Sequence, residues 1–199
     1  MISVIKDKDL IFDVFNYDVI LVGTSIYCSL GNGFQHDIKI NFPVVNEANI
    51  NSKYADPEKL GTILPIKDRN ITFCLCYINS GRFRPDLQKD YLNYDALNKC
   101  LTNINNLFPN KLIGSTLIGK SIFEGNGNED KILDIVNNTC INCNITLYDY
   151  EQESVKDRNY REWQYIKSLI GKVSKEEYYK IKNDYLWRKK HGIWNSKSN

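Results

Sequence analysis

The stretch Asp18-Val-Ile-Leu-Val-Gly-Thr-Ser25, followed by Leu30-Gly-Asn-Gly33-Phe-Gln35, decides how the rest of the chain is read. A short, continuous apolar run such as Asp18 to Gly23 suits a strand buried on both faces of a sheet. A glycine-bearing loop comes next. Phe34, Ile38 and Phe42 then recur at the spacing of one helix face. Pro43 ends that helix, because the residue before a proline is driven out of the α region. Residues 44 to 60 are polar and read as a loop.

Outward from this unit the same alternation continues. Ile2 to Lys6, Thr62 to Ile66, Ile71 to Ile78, Lys111 to Gly119 and Ile145 to Tyr150 have strand character. Cys74 and Cys76 alternate within the third of these, so both should face one buried side. Tyr94 to Leu107 reads as a helix with Leu97, Leu101, Ile104 and Phe108 on one face, and a second helix spans about Asn128 to Asn137. Strands alternating with helices of this length predict an α/β layer structure with a substantially parallel sheet and helices on both faces.

From about Glu151 the strand signals stop and the charge density rises. Arg158 to Ile170 carries Trp163, Ile166 and Ile170 at helical spacing, Gly171 suits a C-cap, and Ser174-Lys-Glu-Glu177 is a capping box. The helix it opens shows Tyr178, Ile181 and Tyr185 on one face. Two domains follow: residues 1–150 as the α/β unit and 151–199 as a basic two-helix extension.

The 199 residues are 42% apolar and 25% charged, enough for one core and a small appendage, and not the make-up of a disordered chain. No apolar run is long enough to span a bilayer. The N-terminus lacks a basic region followed by an apolar stretch, so a soluble, cytoplasmic protein is expected. Residues 1–150 carry net −3 and residues 151–199 net +5, which makes the overall +2 uninformative about partners. The tail Trp187-Arg-Lys-Lys-His-Gly-Ile-Trp194 mixes cations with aromatics. Its bland reading is a helix end whose cations suit the dipole, so neither nucleic acid nor membrane is expected as a partner. Cys140-Ile-Asn-Cys143 has no second pair and no nearby histidine, so no metal site is expected.

Two glycine loops, Gly31-Asn32-Gly33 and Gly125-Asn126-Gly127, each follow a predicted strand and precede a predicted helix. At such a junction glycine lets the backbone approach a ligand closely. The first N–H groups of the helix lack internal partners, and the dipole favours an anion there. Two such termini at one edge of a sheet make a clamp suited to a diphosphate. Neither loop carries the P-loop or the dehydrogenase fingerprint.

The ordered set of Lys8-Asp9-Leu10, Asp18 to Ser25, Leu30 to Gln35, Leu112-Ile-Gly-Ser-Thr-Leu-Ile-Gly119 and Asn144-Ile-Thr-Leu-Tyr148 resembles the macro domain family over residues 1 to 150. It is most similar to the branch of ADP-ribose-1″-phosphate phosphatases and ADP-ribosyl hydrolases. The resemblance implies a three-layer α/β/α mixed sheet that binds ADP-ribose or a derivative, with no further cofactor. Asp9 would accept from the adenine amino group, and Thr24 and Ser25 would lie near the distal ribose. Gly31, Asn32 and Gly33 would wrap the diphosphate from one side. Ser121, Ile122, Phe123, Gly125, Asn126 and Gly127 would wrap it from the other.

The second loop, Gly119-Lys-Ser-Ile-Phe-Glu-Gly-Asn-Gly127, departs from the family's glycine-rich pattern, and Glu124 is the acid nearest the family's catalytic position. A lysine nucleophile used by one subgroup would fall near Asn79 to Gly81, where no lysine stands. His36 and Glu124 are therefore the catalytic candidates, and Arg82, with Arg84, is the candidate for gripping a charged group on the distal ribose. Two functions follow: hydrolysis at the distal ribose, or binding without chemistry. The second would suit a phage-encoded sponge for an NAD-derived signal.

Overall fold

The computed structural model describes residues 2–6, 8–31, 33–81, 90–121, 124–149 and 165–190. Its two compact units are Met1–Gln152 and Glu153–Asn199. The first contains strands β1 (Ile2–Lys6), β2 (Val19–Ser25), β3 (Ile63–Asp68), β4 (Ile71–Asn79), β5 (Leu112–Thr116) and β6 (Asn144–Asp149). They form one sheet in the order β1-β6-β5-β2-β4-β3. Every neighbouring pair is parallel except β3 with β4. The exception has a local cause: only the turn at Arg69-Asn70, with Arg69 at φ 53°, separates the two strands, and so short a link can only reverse the chain.

Alternation along the central strands sorts the core into two layers. Cys74, Cys76 and Ile78 of β4 pack with α3 (Tyr94–Leu107) and α4 (Glu129–Thr139), through Leu97, Cys100, Leu101, Ile104, Ile132 and Val136. Phe73 and Tyr77 point the other way, toward α1 (Gly33–Asn41) and α2 (Pro43–Asn51). Phe73 meets Phe42 at 4.5 Å between ring centroids, and the Tyr77 hydroxyl donates to Asn49 Oδ1 at 3.1 Å. The result is a three-layer α/β/α unit. Leu97, Leu101 and Ile104 have no exposed surface, and burying each stabilises the fold by about 1.5–3 kcal/mol. Asn93 caps α3 by accepting from the Ala96 N–H at 2.9 Å. Asn93→Ala should lower stability by about 1 kcal/mol, read as a lower urea midpoint with an unchanged slope.

Two expectations are corrected. Residues 44 to 60 are not all loop, because Pro43 ends α1 and then opens α2 from a favoured first-turn position. Val45 and Asn49 are the residues α2 buries, and a buried asparagine gives no apolar signal. The strand expected to run to Gly119 stops at Thr116, where a turn closes with Lys120 N–H donating to the Leu117 carbonyl at 3.0 Å.

In the second unit, residues 165–168 are helical, Gly171 has φ 75°, and α5 spans Lys175–Lys190. The serine half of the expected capping box forms, with Glu177 N–H donating to Ser174 Oγ at 3.2 Å. Ile166, Ile170, Tyr178 and Tyr185 are buried. Trp163, Trp194 and the start of the helix expected from Arg158 lie outside the described residues. No helix among the described residues is long and apolar enough to cross a membrane.

Candidate functional site

The parallel strands put the segments after β1, β2, β4 and β5 at one edge of the sheet. The chain leaves β2 for the α1–α2 layer, whereas it leaves β4 and β5 for the α3–α4 layer. The change falls between the neighbours β2 and β5, and ligands in open α/β sheets bind at such a switch point.

The first loop is open. Thr24, buried at the end of β2, donates its hydroxyl to the Ser29 carbonyl at 3.1 Å. The half-buried Ser25 accepts the Cys28 N–H at 3.1 Å, and Ile26 N–H donates to the Asn79 carbonyl at 3.1 Å. Gly31 and Gly33 are exposed. A Cβ on Gly33, at φ +55°, would meet nothing within 4 Å, and one on Gly31 would meet only Ser29 Oγ at 3.4 Å. The space a side chain would fill is open to a ligand, at the N-terminus of α1. Asn32 lies outside the described residues.

The second loop is tightly tied. Ser121 O accepts the N–H groups of Glu124, Gly125 and Asn126 at 2.8, 3.0 and 3.0 Å, and Gly119 O accepts that of Gly127 at 2.9 Å. Asn128 N–H donates to the Tyr94 hydroxyl at 2.8 Å. These N–H groups are spent on the loop and its neighbour. Its glycines have a packing role as well: a Cβ on Gly119, Gly125 or Gly127 would sit 2.7, 2.7 or 2.5 Å from Leu92, which is buried against them. Ile122 and Phe123 lie outside the described residues.

Glu124 links the second loop to α1 and β4. It is 4% exposed, and its Oε2 accepts the Gly119 N–H at 2.8 Å. The Gln35 side chain also hydrogen-bonds it, while Gln35 Nε2 donates to the Gly23 carbonyl at 2.7 Å. Asn79 Nδ2 donates to the Glu124 carbonyl at 3.1 Å. Burial raises the Glu124 pKa from 4.5 to about 7, against the lowering pull of the Gly119 and Gln35 hydrogen bonds. His36 is exposed, as are Lys39 and Ile40 further along α1, while Gln35, Asp37 and Ile38 face inward.

Asp9 stands just beyond β1 and caps the turn Leu10–Phe12, with Oδ1 accepting the Ile11 N–H at 3.1 Å. Arg82 and Arg84 lie outside the described residues. Asn79 and Leu92, which shape the site from beneath, carry no motif in the sequence, and Gln35 stands in the quoted glycine-loop stretch with no role assigned to it there. Leu92 is one of several apolar or aromatic residues in the sequence between β4 and α3, with Phe83, Leu87 and Tyr91, and nothing in the pattern singles it out. Among the described residues no three His, Cys, Asp or Glu side chains are grouped as metal ligands would be.

No protein-family model and no curated protein matches the chain. Solved structures do. A protein of unknown function from Bacteroides thetaiotaomicron superposes with a TM-score of 0.60 at 17% identity, over 75% of this chain and 98% of that one. The macrodomain of Thermus aquaticus DarG gives 0.55 at 12% identity, over 75% and 98%. Thermosipho africanus DarTG in complex with ADP-ribose gives 0.57 at 11% identity, over 79% of this chain and 44% of that one. The chain therefore has the macrodomain fold.

Proposed function

We propose that the first unit, residues 1–150, binds ADP-ribose or a close derivative. The observation that carries this reading is the open, exposed glycine loop at the switch point, the cup of the proposed site, on a fold shared with a structure solved with ADP-ribose. The diphosphate rests on the first N–H groups of α1, where the helix leaves donors unpaired and its dipole favours an anion. Asp9, oriented by its own cap, accepts from the adenine amino group. Thr24 and Ser25 border the distal ribose, and Arg82 grips a charged group on it. With the N–H groups of Glu124 to Gly127 spent, contact from the second loop is assigned to Ser121, Ile122 and Phe123. Gly125, Asn126 and Gly127 shape that segment.

Binding without turnover is the reading the geometry supports best. His36 stands on an exposed stripe, and the Glu124 carboxyl is buried and already bonded. Hydrolysis at the distal ribose is the second reading. It is favoured by one observation, that Glu124 keeps its proton to about pH 7, as a general acid must. A phage sponge for an NAD-derived nucleotide, in the host cytoplasm, is the cellular role that fits the binding reading.

Calorimetry of the full chain with ADP-ribose tests the site. Gly31→Val fills the cup without a positive-φ penalty, and it should weaken binding roughly tenfold or more, about 1.4 kcal/mol, at unchanged Tm. Equal affinity in wild type and variant would remove the cup from the proposal. Mass spectrometry of ADP-ribose-1″-phosphate after incubation with wild type and Glu124→Gln separates the two readings. Product from the wild type alone favours hydrolysis, and product from neither favours binding.

A further inference from the structure

Away from the cup, at the edge of the sheet where β6 begins, Cys140 and Cys143 share one short turn. Cys140 is the C-cap of α4, its N–H donating to the Val136 carbonyl at 2.9 Å. The two thiols lie within hydrogen-bonding reach of each other. Cys143 also lines a cavity of about 330 Å³, together with Asn110, Asn142 and Asn144. Only 2% of Cys143 is exposed, which keeps bulky disulfides from reaching its sulfur.

We propose that Cys140 and Cys143 form a peroxide-reactive dithiol, a second chemical site that takes small hydroperoxides through the asparagine-lined cavity. The division of labour follows from position. Cys140 sits at the negative end of the α4 dipole, where an anion is disfavoured, and it serves as the donor. Hydrogen bonding from Cys140 holds Cys143 below the ordinary thiol range, and the same contact, with burial, holds Cys140 above it. The Cys143 thiolate attacks the hydroperoxide: an S–O bond forms, the O–O bond breaks, and the departing alkoxide or hydroxide takes the Cys140 proton. The Cys140 thiolate then attacks the Cys143 sulfur, an S–S bond forms, and the departing hydroxide takes back from solvent the proton that Cys143 released on ionising, giving water. Two thiols are oxidised to a disulfide. The hydroperoxide is reduced to an alcohol or water, and one further water is formed.

The test exposes the native full chain to hydrogen peroxide at pH 7, denatures it, alkylates free thiols and maps the peptides by mass spectrometry. The peptide holding Cys140 and Cys143 should lose two hydrogens and escape alkylation roughly tenfold faster than Cys74, Cys76 or Cys100 oxidises. In Cys140→Ser, Cys143 should stop at a sulfenic acid that dimedone captures, and in Cys143→Ser, Cys140 should stay reduced. Full alkylation of both residues in wild type, under exposure that oxidises the half-exposed Cys28, overturns the proposal. That outcome is read on the unmodified chain, so it does not depend on either variant folding.

Discussion

Raising the pH from 4.5 to about 7 should remove about 3 kcal/mol of stability through one side chain, Glu124. In the unfolded chain this carboxyl titrates at the ordinary value. In the folded protein it is buried between β2, α1 and the second loop, and desolvation raises its pKa to about 7. Between the two values the folded state holds a proton that the unfolded state has released. Stability is therefore undiminished below pH 4.5, falls as the pH rises, and levels off above about 7. The buried thiol facing it is Cys76, whose pKa is itself raised in part by the Glu124 charge, so no cation offsets the cost from that side. Glu124→Gln can never ionise. Urea unfolding at several pH values should show its stability changing less with pH than that of the wild type, whatever the substitution costs in absolute terms. Superimposable pH profiles would show that Glu124 titrates alike in the folded and unfolded chain. The proton in question is the one a general acid would lend, so the same variant serves the turnover assay.

Much of the fold was legible because its apolar pattern is local. The alternation in Ile71 to Ile78 placed Cys74 and Cys76 on one face, and both now pack in the α3–α4 layer. Leu97, Leu101 and Ile104 marked α3, whereas its cap, Asn93, emerges only from the structure. The misread parts have non-local causes. α2 is held by Val45 and by Asn49, and the second is a satisfactory core residue only because Tyr77, on a distant strand, donates to its amide oxygen. The glycine loops looked alike in sequence, yet one opens to solvent while the other is packed on Leu92. That difference depends on a side chain from the segment before α3, which no spacing rule links to Gly125. Glu124 could be picked out as the only acid within its loop, but its burial under Gln35 and Gly23 could not be read from its neighbours.

Replacing Gly119 and Gly125 by alanine should each be costly, yet only the first should be rescued by shortening Leu92. A Cβ on Gly119 would lie 2.7, 2.9 and 3.4 Å from Leu92 Cδ2, Cδ1 and Cγ, with no other atom nearer. A Cβ on Gly125 would lie 2.7, 2.8 and 3.1 Å from Leu92 Cβ, Cα and N, atoms that an alanine at position 92 retains. Overpacking of this kind costs about 1–3 kcal/mol, and the positive φ at Gly119 adds about 1. Leu92→Ala alone should cost about 2–5 kcal/mol, because the leucine is 6% exposed and fills the space under the loop. In Leu92→Ala the clash at Gly119→Ala disappears and only the backbone strain remains. The double-mutant cycle for that pair should therefore show favourable coupling of more than about 1 kcal/mol, while the cycle with Gly125→Ala should show almost none. Equal coupling in the two cycles would mean that Leu92 does not meet the loop through its side chain at one glycine and its backbone at the other. The second loop would then owe its glycines to the ligand rather than to the core. Tyr91 N–H also donates to the Gly125 carbonyl at 2.9 Å, so the backbone contact at Gly125 is held from both sides and cannot slide away. Changes at Gly125 should consequently reach the cup, where ADP-ribose affinity reports them. Changes at Gly119 in the Leu92→Ala background should leave that affinity near the level of Leu92→Ala alone.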